Sequence, residues 1–223
     1  MAERARLEQQ VLLGVFAMVI LWSAVGPYDL PDYLLELATP LGGAVLLLVT
    51  ARWYRFTPVA YRLMFLEGVI LLVGAHYTHE RVPVFEWLRG PMGWTRNHYD
   101  RFAHFAAGFL LAVPFRELIV RSAGARGRAA SVLAVISVMA LACFYEITEW
   151  WIAASASPGV GAAYLGSQGD IWDAQKDMLL DTLGGIASVA LLTGVHDRQM
   201  GRTSTGPITD RSPQGPPEVR RRP

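Results

Sequence analysis

Residues Ala129 to Trp151 read AASVLAVISVMALACFYEITEWW. No charge interrupts the run before Glu146, and its length suits a bilayer crossing, which takes about 20 predominantly apolar residues. Working outward, five more apolar runs recur: Gln10 to Val25, Tyr33 to Arg52, Pro58 to His76, Arg101 to Val120 and Ala174 to Val195. The second carries Glu36 near its start, and the third carries Arg62 and Glu67. The pattern predicts an all-α protein: a polytopic membrane helix bundle with about six transmembrane helices in residues 1–195. Residues 196–223, rich in Pro, Gly, Ser, Thr and Arg, read as a disordered cytoplasmic tail.

Composition agrees. Of 223 residues, 52% are hydrophobic and only 17% charged, against roughly 25% charged in soluble domains. Mean hydropathy is only +0.29, because the polar end dilutes it. A net charge of +1 offers no field to attract nucleic acid. The single cysteine, Cys143, excludes an intramolecular disulfide and a Cys-rich zinc site, and reads as a small core residue. Arg4 and Arg6 ahead of an apolar stretch ending near Ser23-Ala24-Val25-Gly26 admit a cleaved signal peptide, but Glu3 and Glu8 weaken that basic flank and favour a retained span.

Arginine placement sets the expected orientation. With the N-terminus inside, the inner flanks hold Arg4, Arg6, Arg52, Arg55, Arg62, Arg116, Arg121, Arg126, Arg128, Arg198 and Arg202; the outer flanks hold only Arg81, Arg89, Arg96, Arg101 and Lys176. Both termini are therefore expected to be cytoplasmic. Trp87, Trp94, Trp150, Trp151 and Trp172 fall at the expected outer surface, as an aromatic belt does.

On that topology the titratable residues gather at one side. His76 and His79 end the third span; His98, Asp100 and His104 open the fourth; Glu146 and Glu149 close the fifth; Asp170, Asp173, Asp177 and Asp181 open the sixth. Asp100 and His104 are four residues apart and share a helix face, Glu146 and Glu149 three apart do the same, and Asp173, Asp177 and Asp181 form a ladder on one stripe. A carboxylate in lipid costs about 2.5–3.5 kcal/mol even on the lenient scale, so these stripes must face one another or water. Such crowding of acids calls for protonation or a bound cation. The mixed imidazole and carboxylate set suits a divalent ion of the zinc, iron or manganese type, or magnesium. The expected ligands are His76, Asp100, His104 and Glu146, with Glu149, Asp177 and Asp181 as catalytic or supporting acids.

Plainer roles stand beside these. His79 reads as an interfacial residue, His98 as a possible cap, and Asp170 and Asp173 as N-terminal caps of the last helix. Glu146 and Glu149 have arginines as alternative partners. Glu36 and Glu67 are isolated in the sequence, with Arg62 or Arg116 as candidate partners for Glu67. Arg116-Glu117 reads as a snorkelling pair near the inner surface. Gly184-Gly185 allow close helix approach.

The segments His76-Tyr77-Thr78, Val82-Pro83, Arg96-Asn97-His98-Tyr99-Asp100-Arg101, His104-Phe105, Tyr145-Glu146, Glu149-Trp150-Trp151 and Gln168-Gly169-Asp170-Ile171-Trp172-Asp173 with Gln175 and Asp177-Met178 resemble the YjdF-type family of bacterial inner-membrane proteins. The resemblance runs from about Leu21 to Val195. It implies a multi-span inner-membrane protein and leaves the activity open. His79-Glu80-Arg81 departs from it and weakens a role for His79. A more distant similarity is to VanZ-like membrane proteins, through Asp100, His104, Phe105, Glu146, Asp177, Asp181 and Gly184; Trp150-Trp151 after Glu149 departs from that group's pattern. The link to VanZ-like proteins, which are associated with glycopeptide (teicoplanin) resistance, implies a cell-envelope setting.

Three functions follow as expectations: a metal-dependent hydrolase or transferase acting on a lipid-like envelope substrate, a proton- or cation-coupled transporter, and a non-catalytic envelope protein with a structural cation site. The lipid bilayer is the expected partner, nucleic acid is not, and the sequence leaves the oligomeric state open.

Overall fold

The computed structural model describes residues 2–155, 165 and 167–204. Among them are seven helices and no strand: α1 Ala2–Ser23, α2 Leu30–Thr50, α3 Pro58–Tyr77, α4 Pro83–Met92, α5 Tyr99–Ser122, α6 Gly127–Ser155 and α7 Asp173–Ser204. All but α4 are long and apolar enough to cross a membrane. Residues 205–223 of the expected tail lie outside the described residues. Where disorder was expected from His196, α7 instead continues to Ser204, because that end is anchored: His196 is fully buried, Asp197 pairs with Arg116, and Gln199 accepts from the Val59 amide at 2.9 Å.

Local signals set the helix starts. Asp29 caps α2 by accepting from the Asp32 amide at 3.0 Å, ahead of Pro31 in the first turn. Thr57 caps α3 ahead of Pro58. α4, which the sequence reading missed, starts on Pro83 and stops at Gly93, whose φ of 66° gives the left-handed turn that ends it. It leaves Val84, Trp87 and Met92 exposed.

α5 is the centre of the bundle and packs on α3, α6 and α7; α1 and α2 both lean on α3. The tightest crossing joins α5 to α7. A Cβ on Gly108 would collide with the Asp181 carbonyl oxygen, and one on Gly184 with the Phe105 carbonyl oxygen. Gly184 thus permits the close approach expected of it, and Gly108 is its counterpart. Where no helix covers them, large apolar side chains such as Leu46, Phe144 and Leu191 are exposed, as lipid-facing surface requires. Cys143 is among the exposed residues rather than in the core, since in a bilayer the outside is also apolar.

At the arginine-rich end, Arg116 and Glu117 do not snorkel. They are 2% and 0% exposed. Glu117 accepts from the Thr57 amide at 2.9 Å, the Thr57 hydroxyl at 2.7 Å and Arg121 at 2.8 Å, and lies 3.3 Å from His196 Nε2. Arg116 donates to Asp197 at 2.6 Å and faces His196 Nδ1 at 2.9 Å. This satisfied network ties α3, α5 and α7 together.

Candidate functional site

The end of α6 and the starts of α5 and α7 meet at the opposite end, around His104. Its Nδ1 lies 2.8 Å from Asp181 Oδ2 across the glycine crossing. Its Nε2 turns the other way, 3.8 Å from Asp100 Oδ1 one helical turn earlier and 3.7 Å from Glu146 Oε1 on α6. One ligand atom from each of Asp100, His104 and Asp177 lies within 4.8 Å of the others. Asp177 is 2% exposed, and its Oδ1 has no hydrogen-bond partner; neither has Glu146 Oε1. Buried acceptors without donors are uncommon in a folded protein. Four carboxylates around one imidazole are chemically a hard-donor set with one nitrogen, suited to a divalent cation.

A cationic rim lies above this cluster. Arg96, 7% exposed, donates to Asp173 at 2.5 Å and to the Ser167 carbonyl at 3.2 Å. Burial works against its charge, but Asp173, Asp100 and Asp177 outweigh burial and hold the guanidinium pKa above its usual value. Arg101 and Lys176 both grip Asp170, whose pKa falls to about 2, chiefly through the Lys176 ammonium and then the Trp172 amide. Gln168 fastens the loop ahead of α7 by accepting from the Asn97 amide at 2.9 Å and donating to the Asn97 carbonyl at 3.0 Å. His98 precedes α5 without a side-chain cap bond, packs edge-on to Trp94, and has its pKa lowered by burial and by Arg101 and Arg96. The cap for that amide is Asn97, whose Oδ1 accepts from Tyr99 at 3.0 Å.

Of the residues expected at the site, Asp100, His104, Glu146, Asp177 and Asp181 come together, and Glu149 lines the adjoining cavity. His76 does not join them. Its Nδ1 lies 3.0 Å from the Ser23 carbonyl oxygen and its ring packs on Trp22 and Tyr77, so it serves the α1–α3 contact. Its place at the same end of the bundle had suggested a ligand; its helix face points it elsewhere.

Other residues enter instead. His79 folds over Gly74, where a Cβ would displace its ring, and lies 3.6 Å from Glu36, so neither is isolated at a surface. Tyr145 donates to the same Glu36 at 3.3 Å, and its ring lies 6.1 Å from that of His104. Glu67 is 5% exposed, with Oε2 unpartnered. Neither expected arginine reaches it: Arg62 pairs with Glu8 and Arg116 with Asp197. A cavity of about 1110 Å³ touches Glu67, His79, Asp100, His104, Glu149 and Asp181 at this end, and is otherwise walled mainly by apolar side chains of α1, α2, α3, α5 and α6.

The model of a family of predicted membrane proteins, designated DUF2238, matches residues 8–198, which includes every residue of this cluster. The chain belongs to that family. It is 37% identical over 186 residues to the inner membrane protein YjdF of Escherichia coli (strain K12), covering 83% of this chain and 88% of that one. No solved structure matches. With its six apolar helices, the chain is a multi-pass inner-membrane protein of the DUF2238 family.

Proposed function

We propose that this protein is a metal-dependent hydrolase or transferase acting on a lipid-like envelope substrate, with both termini cytoplasmic and the His104 cluster at the periplasmic side. The observation that carries the reading is the pair of buried, unpartnered carboxylate oxygens, Asp177 Oδ1 and Glu146 Oε1, beside an imidazole already oriented by Asp181. An ionised Asp181 accepts only, so Nδ1 carries the hydrogen, and Nε2 is the atom turned to Asp100 and Glu146, where it would give its lone pair to a cation; a ligating histidine is typically held in this way. Asp100, His104, Glu146 and Asp177 would hold the cation, Asp181 positions His104, and Glu149 on the cavity wall is the base for an attacking water. A divalent ion supplies activated water and a polarised phosphoryl or carbonyl oxygen. His76 has no part in this reading.

One observation favours a second reading, a proton-coupled transporter: Glu67 lies ten residues inside α3, about 15 Å from its end, buried and unpaired in the cavity wall. Intramembrane acids of this kind serve proton relays. Reconstitution into liposomes made from bacterial inner-membrane lipid separates the readings. The enzyme converts a lipid species, read by mass spectrometry, in a reaction stopped by chelator and by Asp177→Asn. Lipids unchanged, together with a pH-gradient-driven flux abolished by Glu67→Gln, would replace it with the carrier.

A further inference from the structure

The cavity beneath the cluster has a shape of its own. Its α5 wall is the stripe Asp100, His104, Leu111, Phe115 and Leu118. From His104 to Leu118 the helix rises about 21 Å at 1.5 Å per residue, and from Asp100 about 27 Å. The hydrocarbon core of a bilayer is about 30 Å thick. The chamber, open along one side where Leu46 and Leu48 are exposed, therefore starts at the carboxylate end, passes the midplane and reaches Tyr54, Arg55 and Phe56 near the other interface. Its volume of about 1110 Å³ lies just above the usual range of ligand sites, roughly 300–1,000 Å³.

Between Glu67 and a polar floor of Arg6, Gln9, Gln10, Tyr54 and Arg55 the walls are mainly apolar. Apolar cavities stay dry, and left empty this half-open one would forfeit dispersion contacts of the side chains along its inner wall. In a bilayer the filling at hand is hydrocarbon. A way in exists as well: α2 packs on α3, α6 packs on α5 and α7, and α2 and α6 make little contact beyond Tyr145 and Glu36. Small residues, Gly43 and Ala44 on α2 and Ala142 on α6, line the chamber along that opening. A Cβ built on Gly43 meets nothing within 4 Å.

We propose that the chamber is a binding site for the single long apolar chain of an amphiphile, entering between α2 and α6, with its head group at the Asp100–His104–Asp177 cluster and its tail running past the midplane to Tyr54 and Phe56. The depth distinguishes this occupant from an ordinary phospholipid, whose chains end at the midplane, about 15 Å from either surface of the core, and would leave the deeper half unfilled. The site thus measures chain length. The head-group assignment rests on the enzyme reading above; the tail site does not.

The test uses the purified full chain in detergent and a graded series of single-chain alkyl phosphates, from chains shorter than one leaflet to chains spanning both, with binding read by native mass spectrometry. Affinity should keep rising for chains longer than a leaflet and level off near the depth of the chamber. Gly43 lies thirteen residues along α2, about 20 Å from its start, so Gly43→Trp fills only the deep half. It should weaken the longest chains at least about tenfold, leave the shortest unchanged, and leave metal content per chain as in wild type. Affinity that stops rising at half the bilayer depth, or Gly43→Trp binding the longest chains like wild type, would overturn the tail site. Wild-type protein, purified without chelator, that binds the chains but carries no divalent ion and takes none up on titration would instead remove the enzyme reading and keep the tail site.

Discussion

His104 on α5 and Asp181 on α7 lie 2.8 Å apart, Nδ1 to Oδ2, at the crossing where Gly108 meets the backbone of that same Asp181. The glycines bring two helices close enough for an aspartate to orient the histidine beside it. Packing and chemistry are therefore one feature. Gly108→Val or Gly184→Val would press a side chain onto backbone that has no free rotamer to yield. Overpacking of this kind costs about 1–3 kcal/mol or more, so both variants should lower the unfolding temperature in detergent. Gly185→Ala, whose Cβ would meet Val138 at an ordinary 3.6 Å, should unfold near wild type.

Asn97 is fully buried and holds three chain segments at once, through the Val82 carbonyl at 3.1 Å, the Tyr99 amide at 3.0 Å and Gln168. Asn97→Ala strands the Tyr99 amide, at about 1–3 kcal/mol, while the Val82 carbonyl keeps the Phe85 and Glu86 amides. Hydrogen exchange should quicken at Tyr99, while the loop from Ser167 to Trp172, which Gln168 ties to the Asn97 backbone, and the α5–α7 crossing both stay protected. Uniform exchange across these regions would contradict this placement.

Asp170 provides the pH dependence. Its folded pKa of about 2 lies below the ordinary carboxylate value of 3.8, so its tether to Lys176 and Arg101 is fully present above the ordinary value and is lost as pH falls through about 2. The side chain is partly exposed, so the effect is local: loop exchange from Ser167 to Trp172 should stay slow at pH 4 and rise only well below it. Asp170→Asn should abolish that acid limb.

Glu117 gathers Thr57, Arg121 and His196 in a fully buried position. Breaking a buried charged network from one side costs about 3–5 kcal/mol. Glu117→Ala should therefore unfold at markedly lower temperature, and Glu117→Gln, which keeps an acceptor for Thr57, should retain part of the loss. Equal stability of wild type and Glu117→Ala would show that the network contributes nothing net.

The six spans were legible because each is an apolar run of the length a bilayer demands. The cluster was legible in outline because alternating crossings carry the starts of α5 and α7 and the end of α6 to one end. What periodicity does not reveal is which face meets which neighbour. His76 shares the end of the bundle with His104, but its face meets Ser23 on α1. Glu36 looked isolated because His79 and Tyr145 reach it from distant parts of the chain. Arg116-Glu117 looked like a surface pair because their partners, His196 and Asp197, sit in a stretch that reads as a polar tail. α4 escaped because ten residues containing Glu86, Arg89, Gly90 and Pro91 carry neither span length nor a clean apolar stripe.

Elemental analysis of the purified wild-type chain, set beside Asp100→Asn, His104→Ala and Asp177→Asn, tests the central claim most directly. The account predicts about one divalent ion per wild-type chain, lost in each of the three variants while His76→Ala retains it. Wild-type protein prepared without chelator that carries no divalent ion and takes none up on titration would contradict it.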